Sequence, residues 1–207
     1  MSTTGHNRLR GSIEPDPLDA ALEDWAGRHW PGGWFVRGAA RSGRLAVLYA
    51  AALGARSGHD YLGCEHLVAG SLRAGGLPQV ATAGELRRVA VAAVAASQMR
   101  AEVLAEHVEE WFADADAAIA AVALGSVRVL PTLTPRAARA LLRARGQAAA
   151  ASAMGGAGAV HVLSGVLADP GIVAPAATRE GVSLEPARLL AERRAGWGPL
   201  LDLLDEG

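Results

Sequence analysis

One ten-residue segment occurs twice, and it constrains the fold more than any other feature of the chain. Gly63-Cys64-Glu65-His66-Leu67-Val68-Ala69-Gly70-Ser71-Leu72 and Gly158-Ala159-Val160-His161-Val162-Leu163-Ser164-Gly165-Val166-Leu167 share Gly-x-x-His-x-x-x-Gly-x-Leu in register, with His66 and His161 95 residues apart. Each copy sits in the same order of elements: a long helix, a break containing glycine, then a short helix that carries the histidine. A repeat unit cannot bury its apolar face alone, so two copies call for a stack that completes a common core. Alanine- and glycine-rich segments match one another easily, so the repeat needs support from the rest of the chain.

At 207 residues the chain can bury one good core, or two half-domains that share one. Hydrophobic residues make up 51% of it but aromatics only 4%, so alanine carries much of the apolar content. Alanine is the strongest helix former, and no apolar alternation lasts long enough to predict a strand. The expected fold class is all-α. A net charge of −1 argues against a nucleic-acid partner. All twenty basic residues are arginine, which fits a high-GC genome first, with escape from lysine-directed modification as the second reading. A single cysteine, Cys64, rules out an internal disulfide framework and fits a reducing cytoplasm. Met1 to Pro17 lacks the pattern of a signal peptide, and stretches such as Val89–Ser97 are too short to span a bilayer, so a cytoplasmic protein without membrane contact is expected.

Along the chain, residues 1–15 read as a flexible leader and 16–35 as an N-terminal helical extension opened by Asp16-Pro17. Trp25, Trp30 and Trp34 read as anchors onto the main body, with an aromatic ligand platform as the other reading. Helices are predicted over 39–56, stopped by Gly58, then over 62–72, 82–96 and 99–123, the last two open to being one bent rod. Thr134 and Pro135 read as the cap and first position of a helix to about Ala151. A short helix over 161–167, a turn at Asp169-Pro170-Gly171, a helix capped by Ser183 through Arg194 and a last helix over 199–204 complete the pass. Residues 36–128 and 129–207 are thus the two halves of one compact domain.

Gly58-His59-Asp60-Tyr61-Leu62-Gly63-Cys64-Glu65-His66-Leu67 resembles the GHxYIGTEHLL signature of the Clp N-terminal repeat of ClpC- and ClpA-type chaperones. Leu133-Thr134-Pro135-Arg136-Ala137-Ala138-Arg139-Ala140-Leu141 resembles that family's TPRAxxAL helix start. Leu167-Ala168-Asp169-Pro170 and Gly181-Val182-Ser183-Leu184-Glu185 resemble its LxDP and GVDLE segments. The resemblance spans roughly 36–76 and 130–195. It implies a pseudo-twofold pair of four-helix repeats, here with the N-terminal extension and an elongated helix between repeats. It implies docking of Clp clients or adaptors, phosphoarginine recognition as in some members, and the Clp ATPase/protease machinery as partner. GxxxxGK[ST] does not occur, so the resemblance implies a stand-alone receiving domain without its motor. Such forms are known chiefly from actinobacteria, where peptide antibiotics that target ClpC can also bind the domain. Three departures stand out. The stretch from Gly76 to Val129 is longer than usual, Gly38-Ala39-Ala40-Arg41 replaces the first TPRA, and Val160 stands where the signature has Glu.

The resemblance places a ligand site on Asp60, Tyr61, Cys64, Glu65 and His66. Glu65, in a first helical turn, reads either as a complement to the helix dipole or as a carboxylate for a client guanidinium, with Arg41 or Arg44 as added charge for a phosphate. Cys64 reads as an N-cap residue, either small and buried or a thiol activated by the helix end. Successive helical residues are turned by about 100°, so Cys64 and His66, two apart, do not face each other and make a poor nucleophile–base pair. His66 and His161 read as packed imidazoles bonded to backbone, since no HExxH or paired Cys/His cluster accompanies them. No metal, cofactor or catalytic residue is expected. Glu102, Glu106, Glu109, Glu110, Asp114 and Asp116 read as a solvated face or a docking stripe, with Trp111 and Phe112 as a partner-binding surface. The leading expectation is a binding protein for peptide clients, phosphoarginine or Clp-targeting compounds that modulates or decoys the Clp protease. The alternatives are an enzyme of specialised metabolism on the same scaffold, and a protein that pairs with itself through the Trp111 helix.

Overall fold

The computed structural model describes residues 33–77, 81–96, 132–151 and 156–205. The expected leader, Trp25, Trp30, the 99–123 helix and its acidic run, Trp111 and Phe112 lie outside the described residues. Within them, eight helices and one tiny sheet follow in order. These are α1 (Gly33–Val36), α2 (Arg41–Arg56), β1 (Tyr61–Leu62), α3 (Cys64–Arg73), α4 (Ala81–Ala96), β2 (Thr132–Leu133), α5 (Pro135–Ala150), α6 (Ala159–Leu167), α7 (Val173–Arg179) and α8 (Glu185–Asp205). The described chain is therefore essentially all-helical. None of its helices is long and apolar enough to cross a membrane.

Local chemistry starts and stops these helices where it can be read. Thr134 Oγ1 accepts from the Ala137 amide at 3.2 Å, and Pro135 occupies the first helical position, where its missing N–H costs nothing. Ser183 Oγ accepts from the Glu185 amide at 3.3 Å and opens α8. Gly58, at φ +72°, ends α2 in a left-handed turn, with Gly58 N–H donating to Ala55 and His59 N–H to Gly54. That reversal returns His59 to the side of the helix it has just left.

Packing is governed by small residues. α3 lies on α2, α6 lies on α5, and α3 and α6 pack on each other at the centre; α4 covers α3 and α8 covers α6. At Gly70 an added Cβ would collide with the Ala46 carbonyl, and at Gly165 with the Ala140 carbonyl. The second and third shared positions of the repeat, His and Gly, thus serve the same ends in both copies: capping a helix, and letting it approach its neighbour's backbone. One contiguous core runs through both halves, from Phe35, Leu48, Leu53, Leu67 and Leu86 to Leu141, Leu163, Val166 and Val173.

The halves also exchange backbone contacts reciprocally. Ala39, ahead of α2, pairs in parallel with Ala157, ahead of α6, and Ala40 N–H donates to the Ala157 carbonyl at 3.1 Å. Leu133, ahead of α5, pairs in parallel with Leu62, ahead of α3, and Thr134 N–H donates to the Leu62 carbonyl at 3.1 Å. Displacing the first set by one repeat length gives the second, because Ala39 and Leu133 are 94 residues apart and Leu62 and Ala157 are 95. The same contact is made twice with the roles of the halves exchanged.

Several expectations change. Gly63, not Cys64, is the N-cap residue of α3, and Cys64 is its first helical residue. α7 was not predicted; Pro175 lies in its first turn, where proline is tolerated. The predicted break before Pro199 is absent, since α8 runs unbroken to Asp205. Trp34 packs edge-on to buried Phe35 with centroids 5.9 Å apart and lies under the Arg145 guanidinium at 6.0 Å, which fits its reading as an anchor.

Candidate functional site

The five predicted site residues, Asp60, Tyr61, Cys64, Glu65 and His66, surround the start of α3, and His59 joins them. The turn at Gly58 supplies His59 and Asp60, β1 supplies Tyr61, and the first turn of α3 supplies Cys64, Glu65 and His66. Gly63 N–H donates to His66 Nδ1 at 3.0 Å, so the proton of this imidazole belongs on Nε2. His66 Nε2 lies 2.7 Å from His59 Nδ1 and donates to it, leaving the His59 proton on Nε2, a buried atom with no hydrogen-bond partner among the described residues. Tyr61 stacks on His59 with centroids 4.9 Å apart and meets His66 edge-on at 5.6 Å. Three rings fill the space around the relay.

Electrostatics follow from burial. His66 is wholly buried, and burial with His59 beside it depresses its pKa to about 3. It is therefore neutral, and the 3.5 Å approach of Glu65 Oε1 to His66 Nδ1 is not an ion pair. Glu65 is only 3% exposed, and burial raises its pKa, opposed by hydrogen bonds from its own amide and the Tyr61 hydroxyl. Its carboxylate lies against Gly63, where any Cβ would strike it. Burial and the Glu65 charge push the Cys64 thiol up to about 12, and its Sγ faces the Asp169 carbonyl at 4.0 Å. Both nitrogens of His66 are engaged elsewhere, so His66 does not serve as a base for Cys64. Asp60 is exposed, and its carbonyl accepts from the Thr132 amide at 2.7 Å and hydroxyl at 3.2 Å.

The second copy is simpler. Gly158 N–H donates to His161 Nδ1 at 3.1 Å, repeating the first copy's cap. Val160 takes the place of Glu65, and the Ser42 hydroxyl from α2 accepts instead from the Ala159 amide at 3.3 Å. Burial lowers the His161 pKa, partly offset by the Ala195 carbonyl. That carbonyl is available because Pro199, four residues on, has no N–H to give it. Among the described residues no acceptor reaches His161 Nε2 at full hydrogen-bond geometry, so the Ala195 carbonyl meets the ring as a partial contact.

Sequence reasoning missed one cluster. Arg136, Arg139 and Arg143 of α5 converge on Asp169, in the turn after α6. Their spacing puts them on one helix face, a visible signal, but nothing local says that Asp169 folds back onto that face. Arg41 and Arg44 lie in the first turn of α2, at the start of the opposite half. Among the described residues no group of three His, Cys, Asp or Glu is placed to hold a metal ion. The chain matches no protein-family model and no curated protein.

Proposed function

We propose that the chain is a binding module of the Clp N-terminal type, a pseudo-twofold pair of four-helix repeats that receives peptide or phosphoarginine-bearing clients, or Clp-targeting peptide compounds. The reciprocal pairing of Ala39 with Ala157 and Leu62 with Leu133 carries this reading, because two copies related by a twofold axis exchange contacts in this way. The matched caps of His66 and His161 and the matched close approaches at Gly70 and Gly165 support it. The protonated thiol and neutral imidazoles around Glu65 suit recognition better than nucleophilic chemistry. In the cytoplasm such a module would modulate or decoy the Clp protease by competing for its clients.

Glu65 is the residue for a client guanidinium, and Tyr61 is the gate. The Tyr61 hydroxyl occupies the carboxylate, so a guanidinium reaches Glu65 once that ring gives way. Calorimetry with phosphoarginine, an arginine-bearing peptide and purified ClpC tests the reading. Saturable binding to at least one, weakened about tenfold by Glu65→Gln, is expected. Silence with all three removes it.

A further inference from the structure

We infer that Arg136, Arg139 and Arg143, gathered around Asp169, form a recognition site for a phosphoryl dianion. Arg136 Nε lies 3.2 Å from Asp169 Oδ1, within hydrogen-bonding range. Arg139 Nη2 and Arg143 Nη2 each lie 3.8 Å from Oδ2, close enough for attraction and too far for a hydrogen bond. The carboxylate therefore balances one of three positive charges; Arg136 and Arg139 keep exposed guanidinia beside it.

The state of Arg143 points to a ligand. Its Nε donates to the Gly165 carbonyl at 3.1 Å, which fixes the guanidinium in place. Its Nη2 is shut off from water and has no hydrogen-bond partner among the described residues. A surface arginine ordinarily satisfies its donors with solvent, and a fixed buried donor cannot. A group with several charged oxygens, seated among the three guanidinia, meets both needs at once. A phosphoryl group has this form, and guanidinium is the side chain that matches it by paired hydrogen bonds. α5 begins at Pro135, so its N-terminal dipole adds potential of the same sign at Arg136. Asp169 is a partial occupant, a single carboxylate on a turn that an incoming dianion displaces. This inference stands on the arginines alone and does not depend on kinship with Clp proteins.

The test titrates the full chain with orthophosphate and with a phosphoserine peptide, by calorimetry and by the arginine Nε–H resonances. The same peptide with Glu in place of phosphoserine serves as comparison. Saturable binding is expected, with the Arg136 and Arg139 resonances moving. Arg139→Gln weakens it about tenfold, the loss of one charge-assisted contact, and Asp169→Asn tightens it. Arg139 is 55% exposed, so its replacement leaves the fold intact, which an unchanged thermal midpoint checks. Binding of both phosphate forms identifies a small-anion site, and binding of the peptide alone a site for phosphorylated chains; either supports the inference. Equal affinity for the Glu peptide, absence of saturable binding, or indifference to both substitutions overturns it.

Discussion

His66 is the residue on which the first copy turns, since its two nitrogens join the cap of α3 to His59. Its depressed pKa makes stability depend on pH. The folded state holds His66 neutral, so its contribution is whole above the unfolded pKa of 6.5 and is lost as pH falls toward about 3. The slope from this group approaches 1.4 kcal/mol per pH unit in that window. His59 and His161, also lowered by burial, act with the same sign. Glu65 acts with the opposite sign, because its raised pKa favours folding in acid. Urea midpoints should therefore fall between pH 7 and 5 and fall less in His66→Gln; a midpoint independent of pH would refute the neutral, buried relay. Cys64, with its pKa near 12, should resist iodoacetamide at pH 8 in the folded chain and react once denaturant is added. Tyr61→Phe should free Glu65 from its hydroxyl and tighten phosphoarginine binding in the calorimetric assay. That His66 and His161 bond to backbone was legible in the sequence, while the cap itself was placed one residue late, at Cys64 and not Gly63. The His59–His66 contact and the arginines around Asp169 were not legible, because each depends on a turn whose exit direction only the folded chain fixes.

Elements packed through glycine tolerate little enlargement. Gly70→Ala would drive a methyl group into the Ala46 carbonyl, and Gly165→Ala one into the Ala140 carbonyl. Each should cost about 1–3 kcal/mol in chemical denaturation, as overpacking does, with the two effects alike if the copies are equivalent. Thr134→Ala, which leaves the Ala137 amide without its side-chain acceptor, should cost about 1 kcal/mol. Helix positions followed from period, caps and stops for α2, α3, α4 and α5. At Pro199 the sequence misled for a physical reason: proline forbids one hydrogen bond, not a helix, and packing decides the rest. The freed Ala195 carbonyl facing His161 shows one use to which that lost bond is put.

For the whole molecule, the repeat in the sequence is the origin of the shared core. α3 and α6 meet at the centre, and every other described helix from α2 to α8 packs on one or both of them or on a neighbour that does. Neither half covers its own short helix completely, so separated halves should lose cooperative unfolding. The two matching pairings lay beyond sequence reading, because such short pairings carry no periodic signal. They are also the most direct consequence of two equivalent copies. In the uniformly labelled chain, interstrand NOEs should connect Ala39 and Ala40 with Ala157, and Leu133 and Thr134 with Leu62, with the Ala40 and Thr134 amides similarly protected from exchange. Both sets together are the predicted result. One set without the other would contradict the relation between the halves, and the binding role proposed from it.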